Sequence, residues 1–209
     1  MEAPAIESIL KSLVKGKKVL DLGCGTGLLT NQIKSWGGIV NGVDIADEMI
    51  NIARQNYKEI DFQISASNDL PFENSEYDIV ASSLVMHYIK ELKLCFTEIA
   101  RVLKDNGHFI FSMHHPFNES FNLEKLKKNG YPVLSPYFNN DSYYWRMCNA
   151  KILSFHHTFE DIMKALKYAS FVLLDMIECR PDSDTECIFE DYEFTSHYPT
   201  FCVFFARLS

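Results

Sequence analysis

The stretch Lys18–Thr30, KVLDLGCGTGLLT, is an apolar run that ends around an acid, Asp21, and then sets glycines at 23, 25 and 27. Small residues at the end of a buried strand let a ligand approach the backbone. The helix that follows offers free N–H groups and its positive end to negative charge. The dinucleotide fingerprint G-x-G-x-x-G needs its third glycine at 28, and that position is Leu28. A second clue is Asp44, which ends another strand-like run 21 residues beyond Gly23. An acid in that place can accept both hydroxyls of a ribose.

Outward from this turn the chain alternates strand and helix. Lys17–Leu22, Gly38–Asp44, Ile60–Ser65, Tyr77–Ser83 and Gly107–Met113 read as strands. Ala46, Met49, Ile50 and Ala53 share one helical face, and Leu92, Phe96, Ile99, Ala100 and Leu103 share another, stopped by the turn KDNG at Lys104–Gly107. Strands alternating with helices imply right-handed crossovers and a largely parallel sheet covered on both faces, a doubly wound α/β fold. The rhythm breaks over 114–142, which holds three prolines, and Tyr143–His157 reads as a strand or hairpin. Thr158 and Asp161 then suggest a capping box ahead of a helix carrying Ile162, Ala165, Leu166 and Ala169. Phe171–Glu178 and Thr200–Leu208 close the chain as two strands, joined by an exposed loop over 181–198.

The bulk numbers fit one globular domain: 209 residues, 47% apolar, 23% charged. The start MEAPAIESIL lacks a basic segment followed by an apolar one, and no run approaches the roughly 18 apolar residues of a membrane helix, so a cytoplasmic protein is expected. Six cysteines, none in a CxxC pair, read as reduced thiols. The net charge of −8 gives no long-range attraction to phosphate backbones. It does not exclude a local basic groove.

VLDLGCGTG, GVDIADEMINIAR, LPFENSEYDIVASSLVMHYI and ARVLKDNGHFIFSMHHP, in this order, resemble the successive motifs of class I S-adenosylmethionine-dependent methyltransferases, in particular the group containing the ubiquinone/menaquinone-biosynthesis methyltransferases. The resemblance runs from Lys17 to Pro116, with weaker echoes to the end. It implies a Rossmann-like, mainly parallel seven-stranded sheet with a C-terminal antiparallel hairpin, and S-adenosyl-L-methionine as cofactor. Asp21, Gly23, Gly25 and Gly27 would surround its methionine part and Asp44 its ribose hydroxyls. Ile45 and Met49 would lie against the adenine, and Ser83 and Leu84 beneath the cofactor. The family's adenine-binding Asp is replaced here by Ala66, so Ser67 or Asn68 would substitute.

The activated methyl needs mainly an aligned nucleophile, and orientation supplies on the order of 7–11 kcal/mol. A base is optional. His87, after the fourth strand, and His115, after the fifth, are the candidates, with no metal expected. Residues 116–157 are expected to form a lid over the acceptor, with Phe117, Phe121, Tyr131, Tyr137, Phe138, Tyr143, Tyr144 and Trp145 as pocket or packing aromatics and Arg146 as a cation for an acidic acceptor. The expected reaction is in-line methyl transfer to a small molecule. Missing NPPY-like and Pro-Cys motifs, with the acidic charge, disfavour tRNA or rRNA as acceptor. A protein acceptor, a nicotinamide-dependent dehydrogenase (against the glycine spacing) and a non-catalytic binding protein are the alternatives. Oligomeric state is not fixed by these residues.

Overall fold

In the computed structural model, residues 2–119, 136–138, 142–147, 150–181 and 192–209 are described. The order of elements is α1 (Glu2–Leu13), β1 (Lys18–Leu22), α2 (Leu28–Ser35), β2 (Ile39–Asp44), α3 (Asp47–Asn56), β3 (Asp61–Ile64), β4 (Tyr77–Ser82), a 3₁₀ turn (Met86–Tyr88), α4 (Leu92–Val102), β5 (Leu103–His114), α5 (Pro116–Glu119), β6 (Ser142–Met147), β7 (Ala150–Phe155), α6 (Phe159–Tyr168), β8 (Phe171–Glu178), α7 (Tyr192–His197) and β9 (Phe201–Leu208). Seven strands form one sheet in the order β3-β2-β1-β4-β5-β9-β8, while β6 and β7 form a separate antiparallel pair. The pairs from β3 through β5 are parallel, and β9 runs antiparallel to both β5 and β8. This is the doubly wound architecture the alternation predicts.

Successive side chains of a strand point to opposite faces, and each face of this sheet is covered. Leu20, Leu22, Phe109, Phe111 and Phe204 belong to the core beneath α4 and α6, where Phe111 stacks between Phe109 and Phe204 at 4.5 and 4.8 Å. Val19, Ile79, Ile110 and Val203 belong to the other core, covered by Ile6 and Leu10 of α1, Ile33 of α2 and Ile50 of α3. Helix α6 begins with the capping box: the Thr158 hydroxyl accepts from the Asp161 N–H while the Thr158 N–H donates to the Asp161 carboxylate, both at 3.1 Å.

Three local features depart from expectation. Helix α1 is absent from the sequence reading, although Ile6 and Leu10 lie one turn apart. The KDNG turn lies inside β5 as an irregularity: Tyr77 faces Leu103, Ile79 already faces His108, and Asn106 adopts φ +60°. The link expected to be a loop over 181–198 contains the short helix α7. Its residues 182–191 lie outside the described residues, as do Phe121 and Tyr131 of the expected lid. Among the described residues no helix is long and apolar enough to cross a membrane.

Candidate cofactor crevice

At the C-terminal edge of β1, β2 and β4 lies a cavity of about 670 Å³. Crevices at this edge of open α/β sheets are where ligands bind, because the strand order reverses there and the loops diverge. Its floor is built by the glycine turn. Gly23 has φ +74°, and its N–H donates to the Val43 carbonyl at 2.7 Å, tying the end of β1 to β2. Gly25 has φ +53°, and a side chain there would meet nothing within 4 Å, which leaves the backbone open to an approaching ligand.

Asp44 stands at the rim. One carboxylate oxygen accepts from the Gly25 N–H and the other from the Ala46 N–H, each at 2.9 Å. Each oxygen keeps a further lone pair, so the group is oriented yet able to accept from a vicinal diol. Beside it Ile45 and Met49 are 74% and 42% exposed, two large apolar side chains bordering the cavity. Ala66, Ser67 and Asn68 line the same end. Ser83 and Leu84 line the middle. A nucleoside fits this set: a carboxylate for its sugar, apolar flanks for its base, and bare backbone where a side chain would obstruct it.

Two expected cofactor residues do not line the cavity. Asp21 is 1% exposed, and the Thr30 hydroxyl donates to it at 2.6 Å. Burial raises its carboxyl to about 7. The rim carboxylate is therefore Asp44, while Asp21 secures α2 to β1 from below. Gly27, at φ +85°, heads α2, and a side chain there would lie 2.8 Å from Phe62 and 3.0 Å from Tyr57. It is required by packing.

The candidate bases His87 and His115 lie outside the cavity lining as well. His87 is fully buried, and its Nδ1 accepts a long 3.5 Å contact from the His114 N–H, which puts its proton on Nε2. That N–H has no partner among the described residues. Its ring stacks on His114 at 3.8 Å and 9°. Burial first, then His114 and His157, push its pKa down to about 2. His115 is occupied on both nitrogens: Nδ1 accepts from the Phe117 N–H at 3.2 Å and Nε2 donates to Glu178 at 3.1 Å. Neither ring lines the cavity, and neither offers a free lone pair for a proton. His157 is likewise structural, donating to the Ile89 carbonyl at 2.8 Å.

What sequence reasoning missed is the far wall: Val85, Ile89 and Leu94, beside Tyr88, with Ile152 of β7 reaching in from the hairpin. Among the described residues the lid aromatics do not line it. Phe138 and Tyr144 are 86% and 67% exposed, and the Tyr137 hydroxyl accepts from the Phe159 N–H. The side chains of Trp145 and Arg146 lie outside those described. Among the described residues, Lys90 and Glu91 add charge at this end. Among the described residues no three His, Cys, Asp or Glu side chains are grouped as a metal site would need.

The buried histidines make stability depend on pH. Burial holds His87 and His114 below the ordinary histidine value, to about 2 and about 4. Below pH 6.5 the unfolded chain takes protons these rings refuse, so their contribution is lost as pH falls, by about 1.4 kcal/mol per pH unit for each ring. Asp21 opposes this: folded, it holds a proton between pH of about 4 and about 7 that the unfolded chain has released. Two rings against one carboxyl leave a net loss on acidification. Melting temperature should fall from about pH 6.5 to about pH 4.5, and less steeply in His87→Phe; identical slopes would refute the assignment.

The fold is a doubly wound α/β sheet with a crevice at the C-terminal edge of its parallel strands, and comparison with known proteins narrows its reading. Residues 20–111 match the family model described as a methyltransferase domain. An S-adenosylmethionine-dependent methyltransferase of Mesorhizobium loti superposes with TM-score 0.84 at 22% identity, covering 99% of this chain and 97% of that one. One from Methanosarcina mazei gives 0.73 at 18%, covering 96% of each. Among curated proteins, the ribosomal protein L11 methyltransferase of Dictyoglomus turgidum is 35% identical over 144 residues, 66% of this chain and 46% of that protein. The ubiquinone biosynthesis O-methyltransferase of Idiomarina loihiensis is 33% identical over 102 residues, 46% of this chain and 42% of that protein. The chain thus spans about half the length of the curated relatives it matches. Residues 20–111 thus carry a methyltransferase domain, and the chain shares the fold of S-adenosylmethionine-dependent methyltransferases of known structure.

Proposed function

We propose that this protein transfers the methyl group of S-adenosylmethionine to a small, largely apolar acceptor, in the cytoplasm, and that it does so by positioning. The observation that carries the reading is the continuity of one cavity from the Asp44 carboxylate past Leu84 to an apolar chamber bounded by Val85, Ile89, Leu94 and Ile152. Asp44 would accept the ribose hydroxyls, Ile45 and Met49 would flank the adenine, and Ser67 and Asn68 would meet its edge. Gly23, Gly25, Ser83 and Leu84 would border the methionine part. The cofactor supplies an electrophilic methyl on a sulfonium, so the protein's work is to exclude water and align the acceptor. Hairpin β6–β7 acts as the roof through Ile152. Tyr88, half-buried and held protonated by burial, offers the acceptor a hydrogen-bond donor rather than a base.

A protein acceptor is the second reading, favoured by the likeness to the ribosomal protein L11 methyltransferase. The two separate in a label-transfer experiment. S-Adenosylhomocysteine binding is first measured by calorimetry. Cell extract is then incubated with the protein and methyl-labelled S-adenosylmethionine. Label in organic-extractable small molecules supports the proposal, whereas label in acid-precipitated protein or RNA replaces it with a macromolecular acceptor. Absence of S-adenosylhomocysteine binding would refute both.

A further inference from the structure

We propose that Glu2, at the start of α1, is a positioning residue of the crevice: it fixes Ser83 and, through Ser112, the left-handed backbone of Leu84. The inference rests on reading the crevice as the S-adenosylmethionine site. Glu2 is only 7% exposed, unusual for a carboxylate, and burying such a group is costly unless it is hydrogen-bonded. One oxygen, Oε1, accepts from the Ser83 hydroxyl at 2.9 Å and from the Ser112 hydroxyl.

Ser112 is fully buried in β5 and has one hydroxyl proton. With that proton directed to Glu2, the hydroxyl oxygen accepts the Leu84 N–H at 2.9 Å. The Leu84 N–H also faces the Ser112 carbonyl at 3.2 Å. Leu84 has φ +56°, a conformation leucine avoids and keeps only where its surroundings impose it. Ser83 and Leu84 line the crevice; Glu2 does not. The carboxylate therefore shapes the crevice floor from outside it. Apolar contacts of Ile6 and Leu10 hold α1 against the sheet and so hold the carboxylate in place. Without it the Ser112 proton turns to another acceptor, and the Leu84 backbone loses what imposes its conformation.

Calorimetry of S-adenosylhomocysteine binding tests this on the full chain. Glu2→Ala should weaken affinity about tenfold, the scale of one strained residue no longer held. Glu2→Gln should stay within about threefold of wild type, since its amide oxygen still accepts both hydroxyls. In a Leu84→Gly background Glu2→Ala should cost less than about threefold, because glycine takes a left-handed backbone unaided. Equal losses in both backgrounds, or a lowered melting temperature at unchanged affinity, would reduce Glu2 to a structural role and overturn the proposal. Should Glu2→Ala not fold, Ser112→Ala must show the same loss and the same rescue by Leu84→Gly, or the proposal fails. A wild-type protein that does not bind S-adenosylhomocysteine would instead overturn the reading of the site, and this inference with it.

Discussion

Gly23→Ala should abolish measurable S-adenosylhomocysteine binding and destabilise the fold. Two costs coincide at this position. The backbone is left-handed, at φ +74°, which penalises any side chain by about 1–2 kcal/mol. The added Cβ would lie 2.3 and 2.9 Å from the two methyls of Val85 and 3.1 Å from its Cβ. Val85 is branched at Cβ and cannot swing both methyls aside, so overpacking adds about 1–3 kcal/mol. Because Val85 also lines the crevice, relief by moving it deforms the binding surface. Gly25→Ala is the control: it shares the positive φ but meets nothing within 4 Å, so its stability should fall by only about 1 kcal/mol. Chemical denaturation of the two variants gives the comparison. Wild-type stability and affinity in Gly23→Ala would refute the account of the turn.

Asp44→Ala is expected to weaken S-adenosylhomocysteine binding by about 1.5–3 kcal/mol, or roughly 10- to 150-fold, the range for hydrogen bonds to a charged group. The same change removes the acceptor of the Gly25 and Ala46 N–H groups, so the glycine turn loses one of its anchors to β2 as its ligand loses a partner. Asp44→Asn should fall between, since one oxygen remains and the new amide meets a backbone donor rather than an acceptor. Calorimetry on the three proteins orders them; an affinity for Asp44→Ala equal to wild type would take the carboxylate out of the site.

The parts of this molecule legible in its sequence are those imposed locally on the backbone. Strand alternation through Val19, Leu20, Ile79, Val80 and Ile110 announces two covered faces. Gly23 and Gly25 announce a turn that side chains would spoil, and Asp44 announces itself by ending the second strand. The parts that were not legible depend on where distant segments meet. Nothing in MHY or HHP says that His87 is sealed with its proton on Nε2, or that both nitrogens of His115 are taken by Phe117 and Glu178. Asp21 and Asp44 look alike as strand-ending acids, yet the pleat turns one inward to Thr30 and leaves the other at the rim. Ile152 reaches the crevice only because the hairpin folds back over it, and Glu2 is informative only once α1 is known to bring it to Ser83 and Ser112.

Strand β9, last in chain order, lies between β5 and β8. While a ribosome is still making residues 171–200, β8 lacks the strand it pairs with, and Phe111 and Phe159 wait without the Phe204 ring that will pack on them. At about 5–20 residues per second that interval lasts a few seconds. Assembly of this half of the sheet is thus completed by a single late insertion, and a chain interrupted before Phe201 would leave two bare edges, on β5 and on β8, as templates for aggregation with its neighbours.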